Sequence, residues 1–278
     1  MSTENALLTI LVEKINNDTL VLPTLPAIAL KVRQTADDPK TNLHAMGDVI
    51  GQDPSLSARM IKIANSAYLG RTVKVNSVAQ AVTRIGLTQI KNIATALAME
   101  QLFVSKNDLV KEYMAKEWDL TVKVVANAMA AFQLYQKDSK DRSLSMDTMT
   151  LAALVYKIGV LPILTEAERH HEVFANPTFL NVAIHKLAGR IGASIMREWG
   201  FGEEFVKVTE NWGNLEYQTK KPSYIDFVRI GVVVAGGDQL HKDEVINLSL
   251  QRGALAEPGE LKSDDFIEMR EHALQIFA

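Results

Sequence analysis

The stretch from Gly51 to Gly70 (GQDPSLSARMIKIANSAYLG) constrains the fold most, because it specifies a helix start and a buried helix face together. Asp53 is a good N-cap, since its carboxylate can accept hydrogen bonds from the free amides of the first turn. Pro54 then takes the first helical position, where its missing amide costs nothing. Gly70 is the predicted helix stop. Apolar residues recur at helical spacing and predict one buried stripe: Leu56, Met60, Ile63, Ala64 and Ala67.

Helical spacing continues through most of the chain, and no strong pair of strands is evident in its first half. With 15 Gly and 8 Pro in 278 residues, the turns that a sheet-rich fold needs are scarce. Ser77 is a predicted N-cap, Ser223 with Asp226 resembles a capping box, and Gly189 with Gly192 would let another helix approach. We therefore predict an all-α fold, with a loop at 242–260 and helices near 3–17, 25–36, 43–52, 53–70, 77–84, 88–103, 109–137, 149–161, 180–199, 203–211, 223–241 and 262–277.

The composition excludes several classes of protein. The chain has no cysteine, which excludes disulfides, thiolate zinc sites and thiol nucleophiles and agrees with a reducing compartment. A formal net charge of −3 does not indicate a polyanion binder. The apolar run Ala6 to Val12 is too short, and has the wrong flanks, for a signal peptide or a membrane span. We expect a soluble cytoplasmic protein without a membrane segment.

Three blocks occur in a characteristic order: LPTLPAIALKV, QDPSLSARMIKIANSAYLG and SVAQAVTRIGLTQIKNIATALAMEQLF. At these blocks the sequence resembles the HDOD family of bacterial signalling domains, and the resemblance covers roughly residues 20–212. It implies an N-terminal helical lobe packed on a degenerate lobe related to the HD metal-dependent phosphohydrolases, in a domain that is usually regulatory and not catalytic. We accordingly divide the chain into an N-terminal lobe (1–103), an HD-like lobe (104–215) and a C-terminal helical extension packed on the same globule (216–278).

The metal ligands that the HD enzymes need are missing from the matching blocks. Those enzymes hold a divalent metal through a histidine, a His-Asp pair and a further Asp, and the metal activates water. The segment LAALVYKIGVLPIL resembles the block in which His-Asp precedes Ile-Gly, and it has Tyr156 and Lys157 there. No histidine occurs in EWDLTVKVVANA, and Ala188 stands where a further histidine would be expected. The resemblance therefore implies a degenerate site that holds no metal.

Two interpretations of Lys157 follow. Its ammonium could lie where a metal once bound and pair with a residual carboxylate. Alternatively, Lys157 lies on a solvated helix face and extends its amine to water, and the sequence alone favours this second interpretation.

The charges are unevenly distributed. Between Pro54 and Asn107 there are seven basic residues and one acid, Glu100, so this segment carries about +6 and the remainder of the chain about −9 by formal count. Such a surface could attract an anionic partner, or the cations could merely solubilise an apolar lobe. Tyr68, the aromatic interleaved with the first of these cations, does not make a base-stacking platform, so we do not expect nucleic acid as the partner. The candidate partner- or anion-binding residues are Ser55, Arg59, Lys62, Ser66, Tyr68 and Arg71.

Other groups of polar residues carry less weight. His170-His171-Glu172, with Glu166 and Glu168 nearby, is interpreted as an exposed polar turn, because adjacent helical side chains point about 100° apart and rarely share one ion. Asp238 and His241 share a helix face, but two ligands do not make a metal site. No dinucleotide-binding, Walker A or GxSxG pattern occurs.

Together these observations predict a non-enzymatic regulatory domain that needs no cofactor. It would transmit a signal by contact with a protein partner in a bacterial signalling pathway, or by binding a small anionic ligand. One alternative is a diverged metal-dependent phosphohydrolase with a different ligand set. A second alternative is nucleic-acid binding through the basic lobe. The oligomeric state is left open.

Overall fold

A computed structural model describes residues 3–66, 69, 73–169 and 177–277. Within these ranges all regular structure is helical, as the sequence predicts. Two short 3₁₀ helices cover Met99–Leu102 and Pro258–Lys262. The α-helices are α1 (Thr3–Asn16), α2 (Ala27–Asp37), α3 (Leu43–Ile50), α4 (Pro54–Ala64), α5 (Val78–Ile85), α6 (Leu87–Ala98), α7 (Asp108–Asp138), α8 (Met146–Val155), α9 (Val160–Ala167), α10 (Pro177–Glu198), α11 (Glu203–Asn211), α12 (Tyr224–Val234), α13 (Lys242–Gln251) and α14 (Asp264–Phe277).

Helix α4 begins as predicted and ends early. The Asp53 carboxylate accepts from the Leu56 amide at 2.9 Å, and Pro54 is the first helical residue. The predicted stripe is buried at Leu56, Met60, Ile63 and Ala64, whereas Ala67 lies outside the described residues.

The prediction that α4 continues to Tyr68 or Gly70 is wrong, because Asn65 leaves the helix to bind the returning chain. Its amide donates to the Val75 carbonyl at 2.8 Å, and its side-chain oxygen accepts from the Val75 amide at 2.9 Å. Both groups of the side chain therefore tie the end of α4 to the approach to α5.

Three other boundaries also differ from the prediction. The helix predicted over 88–103 ends at Ala98 and continues only as a 3₁₀ turn. The segment predicted as 149–161 is divided between α8 and α9, with Pro162 in the first turn of α9, where proline is tolerated. Helix α12 starts at the predicted capping box but stops at Val234, because Gly236 takes a φ of 85°.

The predicted loop at 242–260 is wrong in its first half, which forms α13. Asp243 and Glu244 lie in the first turn, where negative charge favours the positive end of the helix dipole. Val245 and Ser249 are buried, and the Ser249 hydroxyl donates to the Val245 carbonyl at 2.7 Å. Only this narrow part of the helix faces the core, so its apolar pattern is weak in the sequence.

Helix α7 forms the spine of the fold. Helices α8, α12 and α14 all pack along it, so the C-terminal segment contributes to the same hydrophobic core as the rest of the chain. Helix α6 connects the N-terminal helices to α8, and the Asn92 amide donates to the buried Asp147 carboxylate at 2.7 Å across that contact. The division into 1–103, 104–215 and 216–278 stays a prediction.

The close packing of α10 against its neighbours depends on glycine. A Cβ added to Gly159 would lie 2.0 Å from the Ala188 carbonyl oxygen, and one added to Gly189 would lie 2.9 Å from the Glu210 carbonyl oxygen. The expectation that Gly189 and Gly192 admit a neighbouring helix is confirmed, because α10 packs directly on α11. Gly159 in addition brings the turn after α8 onto α10.

The segment Met146–Ala167 is long and apolar enough to span a membrane by length and composition alone. In the fold, however, 83% of its most apolar window is buried, as in the core helix of a globular protein.

Candidate functional site

The turn after α8 contains an ion pair at the position where the resemblance places a metal-ligating Asp. The Lys157 amine lies 3.0 and 2.8 Å from the two carboxylate oxygens of Glu117 on α7. The side chains are only 16% and 18% exposed. Lys157 is therefore paired and largely desolvated, and the interpretation of a solvated lysine is wrong.

Tyr156 packs beneath this ion pair and is 1% exposed. Its ring meets the Trp212 indole edge-on, with centroids 5.0 Å apart. Burial raises the pKa of the Tyr156 phenol far above its ordinary value, and the negative charge of Glu117 raises it further. Tyr156 is consequently a neutral phenol at neutral pH and cannot serve as an anionic ligand.

The residues at the degenerate positions do not fit a divalent metal. They offer an ammonium at Lys157, a protonated phenol at Tyr156 and a methyl group at Ala188, and divalent metals need lone pairs from imidazole or carboxylate. Across the described ranges, no three His, Asp or Glu side chains converge as metal ligands would.

Glu166 differs from the prediction that groups it with an exposed polar turn. Glu166 is 6% exposed, and its carboxylate binds the Lys14 amine at 2.7 Å and the Arg169 guanidinium at 3.3 Å. It is thus a buried link between α1 and α9 and not part of an exposed turn. His170, His171 and Glu172 lie outside the described residues.

A cleft of about 600 Å³ opens beside Lys157, between α10 and the turn that follows α11. Ala188 and Gly189 form part of its wall, where small side chains keep the two helices close. The residues that give the cleft its chemistry are Lys157, His185, Lys186, Arg190, Glu210 and Trp212.

Arg229 fixes the far wall of this cleft. It is 4% exposed and donates to the carbonyls of Asn211, Trp212 and Tyr217 at 3.0, 3.0 and 3.1 Å. Burial lowers the pKa of its guanidinium, and the charge of Asp226 opposes that shift. The carbonyls at the end of α11 would otherwise lack partners, so this cation holds the turn that carries Trp212.

The candidate face on α4 is partly engaged within the fold. Arg59 donates to the Glu100 carboxylate at 2.6 Å and the Leu97 carbonyl at 3.3 Å, and the Ser66 hydroxyl donates to the Ile63 carbonyl at 2.7 Å. Ser55 and Lys62 are exposed. Tyr68 and Arg71 lie outside the described residues. These six residues stay a predicted binding surface.

Other cations of the N-terminal lobe also have structural partners. Arg84 donates to the Ala64 carbonyl at 3.1 Å, and Lys91 pairs with Asp37 of α2. The Lys91–Asp37 pair brings in an acid from outside residues 54–107, so the surface of this segment carries less positive charge than the count of +6.

Two residues of the site were not predicted from the sequence. Glu117 lies at the start of the block that lacks the expected histidine, and an acid there was the available signal for the partner of Lys157. Arg229 interrupts the apolar run IDFVRIGVVV, and a buried arginine requires carbonyl or carboxylate partners.

The family described as HDOD domain matches residues 22–214, and the chain belongs to this family. A crystal structure from Shewanella amazonensis SB2B, named "Putative metal-dependent phosphohydrolase", is 40% identical with a TM-score of 0.94, and each chain covers 100% of the other. An HDOD domain protein of unknown function from Geobacter sulfurreducens has a TM-score of 0.63 at 19% identity, with 98% of this chain and 99% of that chain covered, which shows the shared fold.

A curated relative, an uncharacterized protein of Treponema pallidum (strain Nichols), is 23% identical over 208 residues. These residues are 70% of this chain and 38% of the relative, so the match spans well under half of that protein. The family and the fold support a regulatory role or one related to the HD phosphohydrolases.

Proposed function

We propose that this chain is a non-catalytic regulatory module of a bacterial signalling pathway, acting in the cytoplasm. It passes on a signal by contact with a protein partner or by binding a small anion. The HDOD family and the shared fold support the regulatory class. The residues of the degenerate site support the non-catalytic part of the proposal, because they offer no ligand for a divalent metal.

One observation carries this proposal: the Lys157–Glu117 ion pair at the degenerate position. A tethered ammonium provides positive charge but has no lone pair to ligate a metal. It also cannot lower the pKa of a bound water as a divalent metal does. With Tyr156 neutral and Ala188 lacking a donor, these positions retain binding surface and lack the groups for metal-assisted hydrolysis.

Metal content and turnover test the proposal directly. Protein purified without chelator and without a metal-affinity step should contain no stoichiometric Mn, Fe or Mg by mass spectrometry. It should not hydrolyse phosphate monoesters or cyclic dinucleotides when Mn²⁺ is added. Stoichiometric metal, or turnover that a chelator abolishes, would contradict the proposal.

The second candidate is a diverged phosphohydrolase, favoured by the name of the 40% identical Shewanella protein. It requires a ligand set different from the one that the resemblance assigns. Any turnover should therefore be repeated with Lys157→Met and Glu117→Gln, which alter the pair without adding a ligand. Activity that changes in both variants would place hydrolysis at this site, whereas activity unchanged in both would indicate a contaminating phosphatase.

A further inference from the structure

The cleft beside Lys157 has the dimensions of a small-molecule site. Its volume of about 600 Å³ lies within the range of roughly 300–1,000 Å³ that ligand pockets occupy. The apolar cavity bounded by Ile63, Met129 and Phe277 is far smaller, about 20 Å³, which suffices for a single water. Size and polarity both favour the cleft over this apolar cavity.

The charges that line the cleft favour an anion. Lys186 and Arg190 are exposed on α10 one turn apart, so their cationic groups project from the same side of the helix. Arg190 donates to the Asn16 side-chain oxygen at 3.3 Å, and neither cation forms an ion pair with a carboxylate of the described residues. Lys157 is already neutralised by Glu117, and the Glu210 carboxylate of the cleft wall lies 3.9 Å from the Arg197 guanidinium, so Lys186 and Arg190 dominate the attraction. Lysine and arginine together are typical phosphate-binding groups.

The opposite wall adds an aromatic surface. Trp212 lines the cleft, its ring packs edge-on with Tyr156, and its carbonyl is held by Arg229. An indole fixed in this way can stack on a planar base, an interaction worth roughly 1–3 kcal/mol per base. Asn214 also lines the cleft, and its side-chain oxygen accepts from the Glu216 amide at 3.1 Å. The cations that could bind phosphate and the indole that could stack on a base therefore line the same cleft.

We propose that this cleft binds a nucleotide, with the phosphates at Lys186 and Arg190 and the base against Trp212. The inference rests on the proposed regulatory function and specifies the class of its small anionic ligand. The nucleotide is bound and released unchanged, because the neighbouring Lys157–Glu117 pair offers no metal or activated water.

Calorimetric titration with ADP, in buffer without divalent metal, tests the assignment. Wild-type protein should bind with a Kd below about 1 mM, and Lys186→Glu/Arg190→Glu should weaken binding at least about tenfold. The matched control is Lys74→Glu/Lys106→Glu, at two exposed lysines that do not line the cleft. It changes the net charge by the same amount, so it separates local recognition from general electrostatics, and it should retain the wild-type Kd within about twofold. Thermal unfolding should show that both variants are folded.

Two further measurements distinguish a nucleotide from phosphate alone. Trp212→Leu should weaken ADP binding and leave the affinity for inorganic phosphate unchanged, while adenosine should bind more weakly than ADP. Equal Kd values for ADP and phosphate would overturn the nucleotide assignment, as would no ADP binding by wild type.

Loss of ADP binding in Lys74→Glu/Lys106→Glu, with the cleft variant unaffected, would overturn the assignment to the cleft while leaving an anion-binding regulatory function intact. Chelator-sensitive turnover would instead contradict the proposed function itself. The two failures are therefore distinguishable.

Discussion

Replacing Lys157 by methionine provides the sharpest test of the buried ion pair. Methionine fills a similar volume but leaves the Glu117 carboxylate without its cation in a site where both side chains are less than one-fifth exposed. Breaking a fully buried pair costs about 3–5 kcal/mol, and the residual exposure reduces our expectation to about 2–3 kcal/mol. The free energy of unfolding should fall by this amount.

Urea unfolding followed by tryptophan fluorescence measures the change as a shift in midpoint at constant slope. Glu117→Gln and the double variant complete a cycle, in which the double variant should be less destabilised than the sum of the single variants by about 1–2 kcal/mol. Lys116→Met is the matched control on the same helix, because its amine pairs with Glu112 at the exposed surface. If Lys157→Met shifts the midpoint no more than this control, the reasoning about a desolvated pair is refuted.

Three further outcomes are expected. Gly159→Ala should lower the free energy of unfolding by about 3 kcal/mol, because the added Cβ would overlap the Ala188 backbone. Gly213→Ala is the control and should be tolerated, because no atom of the described residues, apart from its chain neighbours, lies within 4 Å of its added Cβ. Equal melting temperatures of the two variants would contradict this expectation. Arg229→Met should cost at least about 2 kcal/mol in urea unfolding by leaving carbonyls unpaired, and a loss under about 1 kcal/mol would count against that role. The pKa of Tyr156 is higher in the folded state than its value of about 10 in the unfolded state, so its contribution to stability is complete below about pH 10 and is lost as the pH rises above that value. Tyr156→Phe should therefore lose less stability than wild type when both are unfolded in urea at increasing alkaline pH. Parallel curves of stability against pH would disprove this expectation.

Helix starts were the most predictable part of the fold. The Asp53-Pro54 start, the Ser77 cap and the Ser223–Asp226 capping box all depend on residues within one turn, and all are present. Both partners of such a capping hydrogen bond lie within a few residues of each other, so the sequence alone can show them. Helix ends were less predictable, because partners distant in the chain determine them. Asn65 ends α4 by binding the Val75 backbone, and nothing in the sequence indicates that these two residues, ten positions apart, are in contact.

The candidate site illustrates the same limit. The missing metal ligands could be predicted, since the resemblance assigns them to particular positions of the chain. The state of Lys157 could not, because its partner Glu117 lies 40 positions away on another helix. Whether a lysine is solvated or paired depends on which acid the fold brings within about 3 Å. The pairing of Arg59 was unpredictable for the same reason, because its partner Glu100 lies 41 positions away on a separate element.

A tethered ammonium and a divalent metal share one structural effect and differ in their chemistry. Either cation can hold a carboxylate of α7 against the turn after α8, because the attraction requires only positive charge in a site of low dielectric. Lys157 provides that charge permanently, so the two elements stay together without a bound ion. It provides no open coordination position, so it cannot generate hydroxide from a bound water. On the proposed function, lysine at this position therefore separates two properties that a metal site combines: the shape and charge of the cleft serve recognition, and the groups for hydrolysis are absent.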